Sequence, residues 1–233
     1  MSIGVRCTLF RPRCQRPLLH IKRNMATSTP KDAKKALRQT IQNKLSALDG
    51  DTITRQSAVA QNIILTLPQY NNAKRISIYL SMPKAEAETD ILVQHALRTG
   101  KEVFVPYIYR PQSGPGEAKQ RSIIEMLQLR SLAEYEGLGR DSWGIPSLPA
   151  EGIESRENAA GGEGLYSAVE SGVGLDLIVV PGVAFDHGMN RLGHGAGFYD
   201  EFLTRFCKDG RRKKPFLSES ARATTVYVHL LTR

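Results

Sequence analysis

The chain has 233 residues, of which 41% are apolar, and this is enough for one substantial hydrophobic core. No apolar run approaches the roughly 18 residues of a membrane-spanning helix, so no membrane partner is predicted. The three cysteines form no CxxC pair, which argues against a zinc site and against a disulfide framework.

The formal net charge of +9 is concentrated at the start of the chain. Residues 1–24 contain six arginines and lysines and no acid, and without them the net charge falls to +3. The charge is therefore weak evidence for nucleic-acid binding, and no nucleic-acid partner is predicted. An Arg-rich, acid-free start is typical of a mitochondrial transit peptide, whereas initiation at Met25 would give a cytoplasmic protein. Under both interpretations, residues 1–24 lie outside the folded domain.

Two helices are predicted after this leader. Thr29 and Pro30 have the pattern of an N-cap followed by proline in the first helical turn. Apolar residues then recur at helical spacing and predict a buried stripe, made of Ala33, Leu37, Ile41, Leu45 and Leu48. A second helix is predicted over residues 54–67, ending at Pro68.

Strands and helices then alternate. The β-branched and aromatic run at residues 75–82 predicts a strand, and the next helix is capped by Thr89 and closed by Gly100. Further strands are predicted at residues 102–106 and 122–129, with a helix as the alternative for the second. Residues 110–120 are predicted to be a loop, and residues 150–174 a long polar insertion or loop.

The apolar run at residues 175–182 has the length of a strand that is buried on both faces. A final helix is predicted from the helical spacing of Tyr199, Phe202, Leu203 and Phe206. This order of elements predicts a single α/β domain with a mostly parallel open sheet flanked by helices.

The segment NRLGHGAGFYDEF, residues 190–202, places three glycines at alternate positions between the last strand and the last helix. Open α/β sheets bind ligands at the carboxyl ends of their strands, and glycines let backbone N–H groups approach a phosphate. Arg191 can contact a phosphate with two donors, and Asp200 is a natural magnesium ligand beside a polyphosphate. The segment matches neither the Walker A motif nor the dinucleotide fingerprint. It favours a nucleoside triphosphate, with a surface turn that binds no ligand as the alternative.

Residues 181–203, PGVAFDHGMNRLGHGAGFYDEFL, resemble the signature of the 5-formyltetrahydrofolate cyclo-ligase family. Three further segments match in the same order: KKALR at 34–38, RISIYLSMPKAEAET at 75–89 and SWGIP at 142–146. The resemblance covers about residues 30–217 and implies a monomeric α/β domain over residues 25–217, followed by an atypical tail over residues 218–233.

The resemblance also implies a reaction. The formyl oxygen of 5-formyltetrahydrofolate, with or without a polyglutamate tail, attacks the γ-phosphate of ATP in the presence of Mg²⁺. N10 then attacks the activated carbon, and loss of phosphate leaves 5,10-methenyltetrahydrofolate. Phosphoryl transfer needs positioning and charge neutralisation more than a protein nucleophile, which matches the basic and glycine-rich segments.

Site residues follow from the same resemblance. It implies that ATP is bound by Lys34, Lys35, Arg38, Arg191, Leu192, Gly193, His194, Gly195, Ala196, Gly197, Phe198 and Tyr199. It implies folate binding by Leu80, Met82, Glu86 and Trp143, with Tyr107 in the same pocket, and by the loop residues His194, Gly195, Ala196, Gly197 and Phe198. Asp200 is the implied magnesium ligand.

These assignments have structural alternatives. Lys34, Lys35 and Arg38 could form a solvated helix face, and the aromatic residues could belong to the core. Glu86 could be an ordinary loop acid, and Glu88 is close enough to exchange roles with it. Asp200 could serve only the helix dipole in the first turn of its helix.

The chain departs from the family pattern in three places. Ala196 stands where many relatives carry a lysine, which removes one phosphate-neutralising charge. The insertion at residues 150–170 is longer than expected. Residues 218–233 do not match the family's terminal strands, so those strands and a second metal carboxylate are predicted to be missing or aberrant. An impaired relative that only binds folate or nucleotide is therefore the competing hypothesis.

Overall fold

The computed structural model describes residues 29–83, 86–112, 118, 120–165, 172–186, 188, 190–208, 212 and 214–219. The predicted leader over residues 1–24 lies outside these residues, as does the tail after residue 219. Among the described residues, no helix combines the length and the apolar character needed to cross a membrane.

The described residues form helices and strands in the alternating order that the sequence predicts. The helices are α1 (Pro30–Ser46), α2 (Gly50–Thr66), α3 (Pro68–Asn72), α4 (Asp90–Arg98), α5 (Leu132–Glu136) and α6 (Phe198–Cys207), with a 3₁₀-helix at Ile153–Ser155. The strands are β1 (Arg75–Ile78), β2 (Glu102–Tyr109), β3 (Ile123–Leu129), β4 (Gly139–Arg140), β5 (Pro146–Ser147), β6 (Leu177–Val180), β7 (Ala184–Phe185), β8 (Arg191–Leu192) and β9 (Phe216–Glu219).

Five strands form the central sheet in the order β3-β2-β1-β6-β9. β1 runs parallel to β2 and to β6, β6 runs parallel to β9, and β3 is antiparallel to β2. The predicted mostly parallel sheet is confirmed, and residues 123–129 form a strand, not the alternative helix. All four residues of β6 are buried, as expected for an interior strand that is covered on both faces.

Helix α1 begins where the sequence predicts, because Thr29 and Asp32 form a reciprocal capping box. The predicted buried stripe is mostly wrong: Ile41 is buried, but Ala33 and Leu37 are exposed and Leu45 is half-buried. The reason is that α1 packs against the small β7–β8 hairpin, where Ile41 forms an apolar cluster with Val183 and Ala184.

Several other boundaries differ from the prediction. α2 ends before Pro68 as predicted but starts at Gly50 instead of residue 54, and Pro68 begins the additional helix α3, since proline suits the first position of a helix. β1 ends at Ile78 instead of residue 82, and β2 continues to Tyr109 because its pairing with β3 extends that far. β9 crosses the predicted domain boundary at residue 217 and pairs with β6 as far as Glu219.

The described part of the polar insertion, residues 150–165, is packed against the sheet and is not a solvated loop. Ala159 N–H donates to Met126 O and Gln128 N–H donates to Glu157 O, both at 2.9 Å. These bonds occupy the outer edge of β3, which would otherwise present unpaired backbone groups. The insertion therefore has a structural role, and Asn158, Ala159 and Ala160 are buried in it.

Candidate active site

The site lies at the carboxyl-terminal ends of β1 and β6. These strands are adjacent and parallel, so the segments that follow them leave the sheet at the same edge. The segment after β1 contains three of the predicted folate-binding residues, Leu80, Met82 and Glu86. The segment after β6 contains the hairpin β7–β8 and the glycine loop, defined here as residues 193–197.

Hydrogen bonds join the start of the segment after β1 to its end. Tyr79 Oη donates to Ala87 O at 2.8 Å, and Thr89 Oγ1 donates to Tyr79 O at 2.7 Å. Thr89 therefore stabilises this turn instead of capping α4 with its side chain as predicted. Leu80 is buried, and Met82 N–H donates to Glu86 Oε2 at 3.0 Å.

The hairpin β7–β8 between β6 and the glycine loop was missed by sequence reasoning. Asp186 Oδ1 accepts the Asn190 N–H at 2.8 Å, and Asp186 Oδ2 accepts from Asn190 Nδ2 at the same distance. The Asp186 to Asn190 segment, DHGMN, is rich in turn-forming residues and was the available signal. The hairpin aligns Phe185 with Arg191 and so fixes the entry to the glycine loop.

The glycine loop adopts a backbone conformation that requires glycine at two positions. Gly195 and Gly197 have φ angles of 107° and 79°, which L side chains rarely adopt. Gly197 is also the N-cap of α6, and no side chain among the described residues caps this helix end. The first N–H groups of α6 therefore face the loop without a side-chain acceptor, as at helix ends that bind anions.

Arginine side chains surround the loop. Arg38 Nε donates to Gly193 O at 2.7 Å, while Lys34 and Lys35 are exposed on the same helix. Arg191 Nη1 donates to Pro181 O at 3.1 Å, and its Nη2 forms an ion pair with Asp200 Oδ1. Sequence reasoning missed one further arginine.

That residue is Arg121, whose Nη2 donates to Ala196 O at 3.3 Å. Among the described residues, no acidic side chain forms an ion pair with Lys34, Lys35, Arg38 or Arg121. The loop therefore has an excess of positive charge, which suits a polyanionic ligand.

The two predicted binding segments meet through one side-chain pair. His194 Nε2 lies 3.0 Å from Glu86 Oε1, and the Glu86 side chain is only 9% exposed. Glu88 lies apart from this contact, because its Oε1 accepts from Thr54 Oγ1 on α2 at 3.0 Å. The geometry thus separates the two acids that the sequence could not distinguish.

Tyr199 lies beneath the loop and not on its surface. Its side chain is buried, and its hydroxyl has no hydrogen-bond partner among the described residues. Burial raises the pKa of Tyr199 well above its ordinary value, and the negative charge of Glu86 raises it further. The tyrosine is therefore neutral and supplies a buried O–H donor near Glu86.

The predicted aromatic residues differ in exposure. The Trp143 side chain is 70% exposed, so it is not a core residue. Its loop is fixed by Asp141 Oδ1, which accepts from the N–H groups of Trp143 and Ile145, and Gly144 approaches Pro83 closely. The loop of Trp143 therefore abuts the segment after β1.

The remaining predicted residues are half-buried. Tyr107 on β2 and Phe198 at the start of α6 pack against the main core, and Leu192 packs beside Ile41 in the small cluster. Met82 is half-buried in the segment after β1. Leu192 thus has a packing role in addition to its predicted place in the loop.

A metal at this site would depend on few protein ligands. Among the described residues, no three histidine, cysteine or acidic side chains form a metal-binding group, and His187 lies outside those residues. Asp200 has a side chain that is 76% exposed and paired with Arg191. A single accessible carboxylate fits an ion such as Mg²⁺, which takes its other ligands from water and substrate phosphates.

Comparisons with known proteins show which family the chain resembles. Residues 30–228 match the model of the 5-formyltetrahydrofolate cyclo-ligase family. A mouse protein named 5-formyltetrahydrofolate cyclo-ligase is 36% identical over 192 residues, which cover 82% of this chain and 83% of the mouse protein. An Arabidopsis thaliana protein named 5-formyltetrahydrofolate cyclo-ligase, mitochondrial, is 25% identical over 77% of this chain and 60% of its own length.

A solved structure supports the same assignment. The NMR structure of Aquifex aeolicus 5,10-methenyltetrahydrofolate synthetase matches with a TM-score of 0.54 and 28% sequence identity. The match covers 81% of this chain and 77% of the Aquifex chain. From the family match, the mouse relative and this fold, it follows that the chain belongs to the 5-formyltetrahydrofolate cyclo-ligase family.

Proposed function

We propose that this chain converts 5-formyltetrahydrofolate to 5,10-methenyltetrahydrofolate, with hydrolysis of ATP to ADP and phosphate and with a requirement for Mg²⁺. The observation that carries the proposal is the 3.0 Å contact between His194 and Glu86. It brings the glycine loop, to which we assign the nucleotide, next to a buried carboxylate, to which we assign the pterin. Phosphoryl transfer to a folate needs this proximity, because donor and acceptor must react in line.

The reaction proceeds in two steps. The formyl oxygen attacks the γ-phosphorus, and the bond between that phosphorus and the ADP oxygen breaks. N10 then attacks the formyl carbon, the carbon–oxygen bond breaks with release of phosphate, and N10 loses its proton. Phosphorylation is needed because the formyl oxygen is otherwise a poor leaving group.

The basic side chains are assigned to the nucleotide. Arg38 and Arg191 are held at the loop by backbone carbonyls, and Lys34 extends from the same helix as Arg38. Fixed guanidinium groups stabilise the charge that spreads over the phosphoryl oxygens in the transition state. The uncapped N–H groups at the start of α6 add donors without a charge of their own.

The folate is assigned to the segment after β1 and to the loop of Trp143. Glu86 accepts hydrogen bonds from the N–H groups of the pterin ring, and its burial makes these bonds stronger than in water. Trp143 offers an exposed aromatic face for stacking, and Leu80, Met82 and Tyr107 provide apolar surface.

Asp200 is the protein ligand that we assign to Mg²⁺. Its exposed carboxylate and the excess of positive charge at the loop fit an ion that arrives bound to the nucleotide. When bound, Mg²⁺ would neutralise part of the phosphate charge. Arg191 holds the Asp200 carboxylate at the loop through their ion pair.

The test is product formation by the purified full-length chain. Incubation with 5-formyltetrahydrofolate, ATP and Mg²⁺ is expected to give the methenyl chromophore together with one ADP per product. Omission of ATP or of Mg²⁺ is the control and is expected to give neither. Folate binding without any product would refute the proposed enzyme activity. It would support the competing hypothesis of an impaired relative that only binds folate or nucleotide, which the uncharged Ala196 favours.

The compartment depends on residues 1–24, which are Arg-rich and acid-free. This composition supports import into mitochondria, and the Arabidopsis relative is named as mitochondrial. Initiation at Met25 would instead leave the enzyme in the cytoplasm. Fluorescent fusions of the full chain and of a chain starting at Met25 separate these outcomes by microscopy.

A further inference from the structure

Arg121 contacts the middle of the glycine loop, although it lies 75 positions earlier in the chain. Its Nη2 donates to Ala196 O at 3.3 Å. Ala196 carries no charge and is flanked by two glycines, so an arginine from elsewhere in the chain supplies a cation at the middle of the loop. No motif in the sequence indicates this contact.

The position of Arg121 is set by the packing of β3 against α6. Arg121 precedes β3 by two residues, and Ala196 precedes α6 by two residues. Arg205 on α6 joins these elements, because its Nη1 donates to the buried Glu125 Oε1 at 2.7 Å and its Nη2 donates to Ile124 O at 2.8 Å. The contact between Arg121 and Ala196 therefore connects the ends of two elements that are fixed relative to each other.

The Arg121 side chain has spare donors for a ligand. A guanidinium group carries five N–H donors, and Ala196 O takes one of them. Among the described residues, no acidic side chain forms an ion pair with Arg121, and the residue is exposed. An exposed arginine of this kind is well suited to bind phosphate oxygens with two parallel hydrogen bonds.

We propose that Arg121 binds the phosphates of the nucleotide and supplies the positive charge that Ala196 does not provide. The inference rests on the proposed function, because it assumes that ATP binds at the glycine loop. It explains how this chain retains phosphate-neutralising charge without a basic residue between Gly195 and Gly197. Arg121 thus joins Arg38 and Arg191 as a third arginine at the loop, and each comes from a different part of the chain.

The experiment compares Mg-ATP affinity by calorimetry in four proteins: the unaltered chain, Arg121→Ala, Arg121→Lys and the double variant Arg121→Ala/Ala196→Lys. Arg121→Ala is expected to weaken Mg-ATP binding by at least about tenfold, because it removes the charge-assisted hydrogen bonds from the guanidinium to the phosphates. Arg121→Lys retains the positive charge and is expected to lose less Mg-ATP affinity than Arg121→Ala. The double variant returns a cation to the loop and is expected to recover most of the affinity.

Two controls make the result specific. Arg98→Ala removes an exposed arginine on α4 that contacts Gln94 and is expected to leave Mg-ATP affinity unchanged. Affinity for 5-formyltetrahydrofolate is expected to change less than twofold in Arg121→Ala. Equal Mg-ATP affinity in Arg121→Ala and the unaltered chain overturns the inference, as does a double variant that recovers nothing. Absence of Mg-ATP binding by the unaltered chain instead refutes the proposed function.

Discussion

His194 Nε2 lies 3.0 Å from Glu86 Oε1, although the two residues are 108 positions apart in the chain. Glu86 Oε2 is also occupied, because it accepts the Met82 N–H at 3.0 Å. One nearly buried carboxylate therefore holds its own turn together and contacts the glycine loop. Because we assign the Glu86 carboxylate to the pterin, a change at Glu86 should affect folate binding more than nucleotide binding.

Glu86→Gln is expected to raise the KM for 5-formyltetrahydrofolate about tenfold or more, because the neutral amide is a weaker acceptor for the pterin N–H groups. The matched control is Glu88→Gln, since Glu88 contacts Thr54 on α2 and not the loop. Steady-state kinetics with each substrate varied in turn measure both effects. Equal KM values for the two variants would assign Glu86 to the structure of the turn alone.

Asp200→Asn is expected to raise the Mg²⁺ concentration that gives half-maximal turnover by about tenfold, because the carboxylate that we assign to Mg²⁺ becomes a neutral amide. Thermal stability should change little, since the Asp200 side chain is 76% exposed. Glu201→Gln is the control, because Glu201 is the next residue and pairs with Arg205 instead. A Mg²⁺ titration of turnover and a melting curve are the measurements.

Arg191→Ala is expected to lower turnover by at least about tenfold without unfolding the domain, because its guanidinium faces Asp200 at the loop. Loss of cooperative melting in this variant would indicate that Arg191 mainly fixes the hairpin through Pro181 O.

Ile41→Ala is expected to detach α1 from the hairpin, because Ile41 is fully buried in the small cluster with Val183 and Ala184. Removal of a buried isoleucine side chain costs about 2–5 kcal/mol. Arg38 would then no longer be held at Gly193 O, so Mg-ATP affinity should fall although no ligand contact is removed.

Leu37→Ala is the control for this variant, since Leu37 lies on the same helix and is 41% exposed. Hydrogen exchange of the α1 amides and calorimetry with Mg-ATP follow both effects. Unchanged exchange of α1 in Ile41→Ala would show that the cluster does not hold the helix.

Glu134→Gln is expected to make the free energy of unfolding depend less on pH in the acid range. Burial raises the pKa of Glu134. The pKa is nevertheless lowered overall, because Arg156 and the Arg130 N–H donate hydrogen bonds to the carboxylate and both arginines carry positive charge. A lowered pKa in the folded state stabilises the protein above the carboxyl's ordinary pKa, and this stability is lost as the pH falls through the lowered value.

The measurement is denaturant unfolding between about pH 7 and pH 3, a range that spans the ordinary titration of a glutamate. At neutral pH the variant should be less stable by about 2 kcal/mol, because the buried Arg156 loses a charged partner. Glu136→Gln, on the exposed face of the same helix, is the control. Parallel pH dependences of the variant and the unaltered chain would contradict this prediction.

Features that depend on neighbouring residues could be predicted from the amino-acid sequence. The capping box at Thr29 and Asp32 fixes where α1 starts, and the apolar run of β6 identifies an interior strand. The clustered glycines mark a segment whose backbone uses the freedom of glycine, and Gly195 and Gly197 do adopt positive φ angles. Four ordered motifs were also enough to identify the family.

Contacts between distant residues became apparent in the folded structure. It separated Glu86 from Glu88, placed Arg121 against Ala196, and showed that the polar insertion covers the edge of β3. It also replaced the predicted stripe of α1 with a contact centred on Ile41. Periodicity reports which face of an element is apolar, but the partner of that face depends on sheet order and on long-range packing, which no local pattern contains.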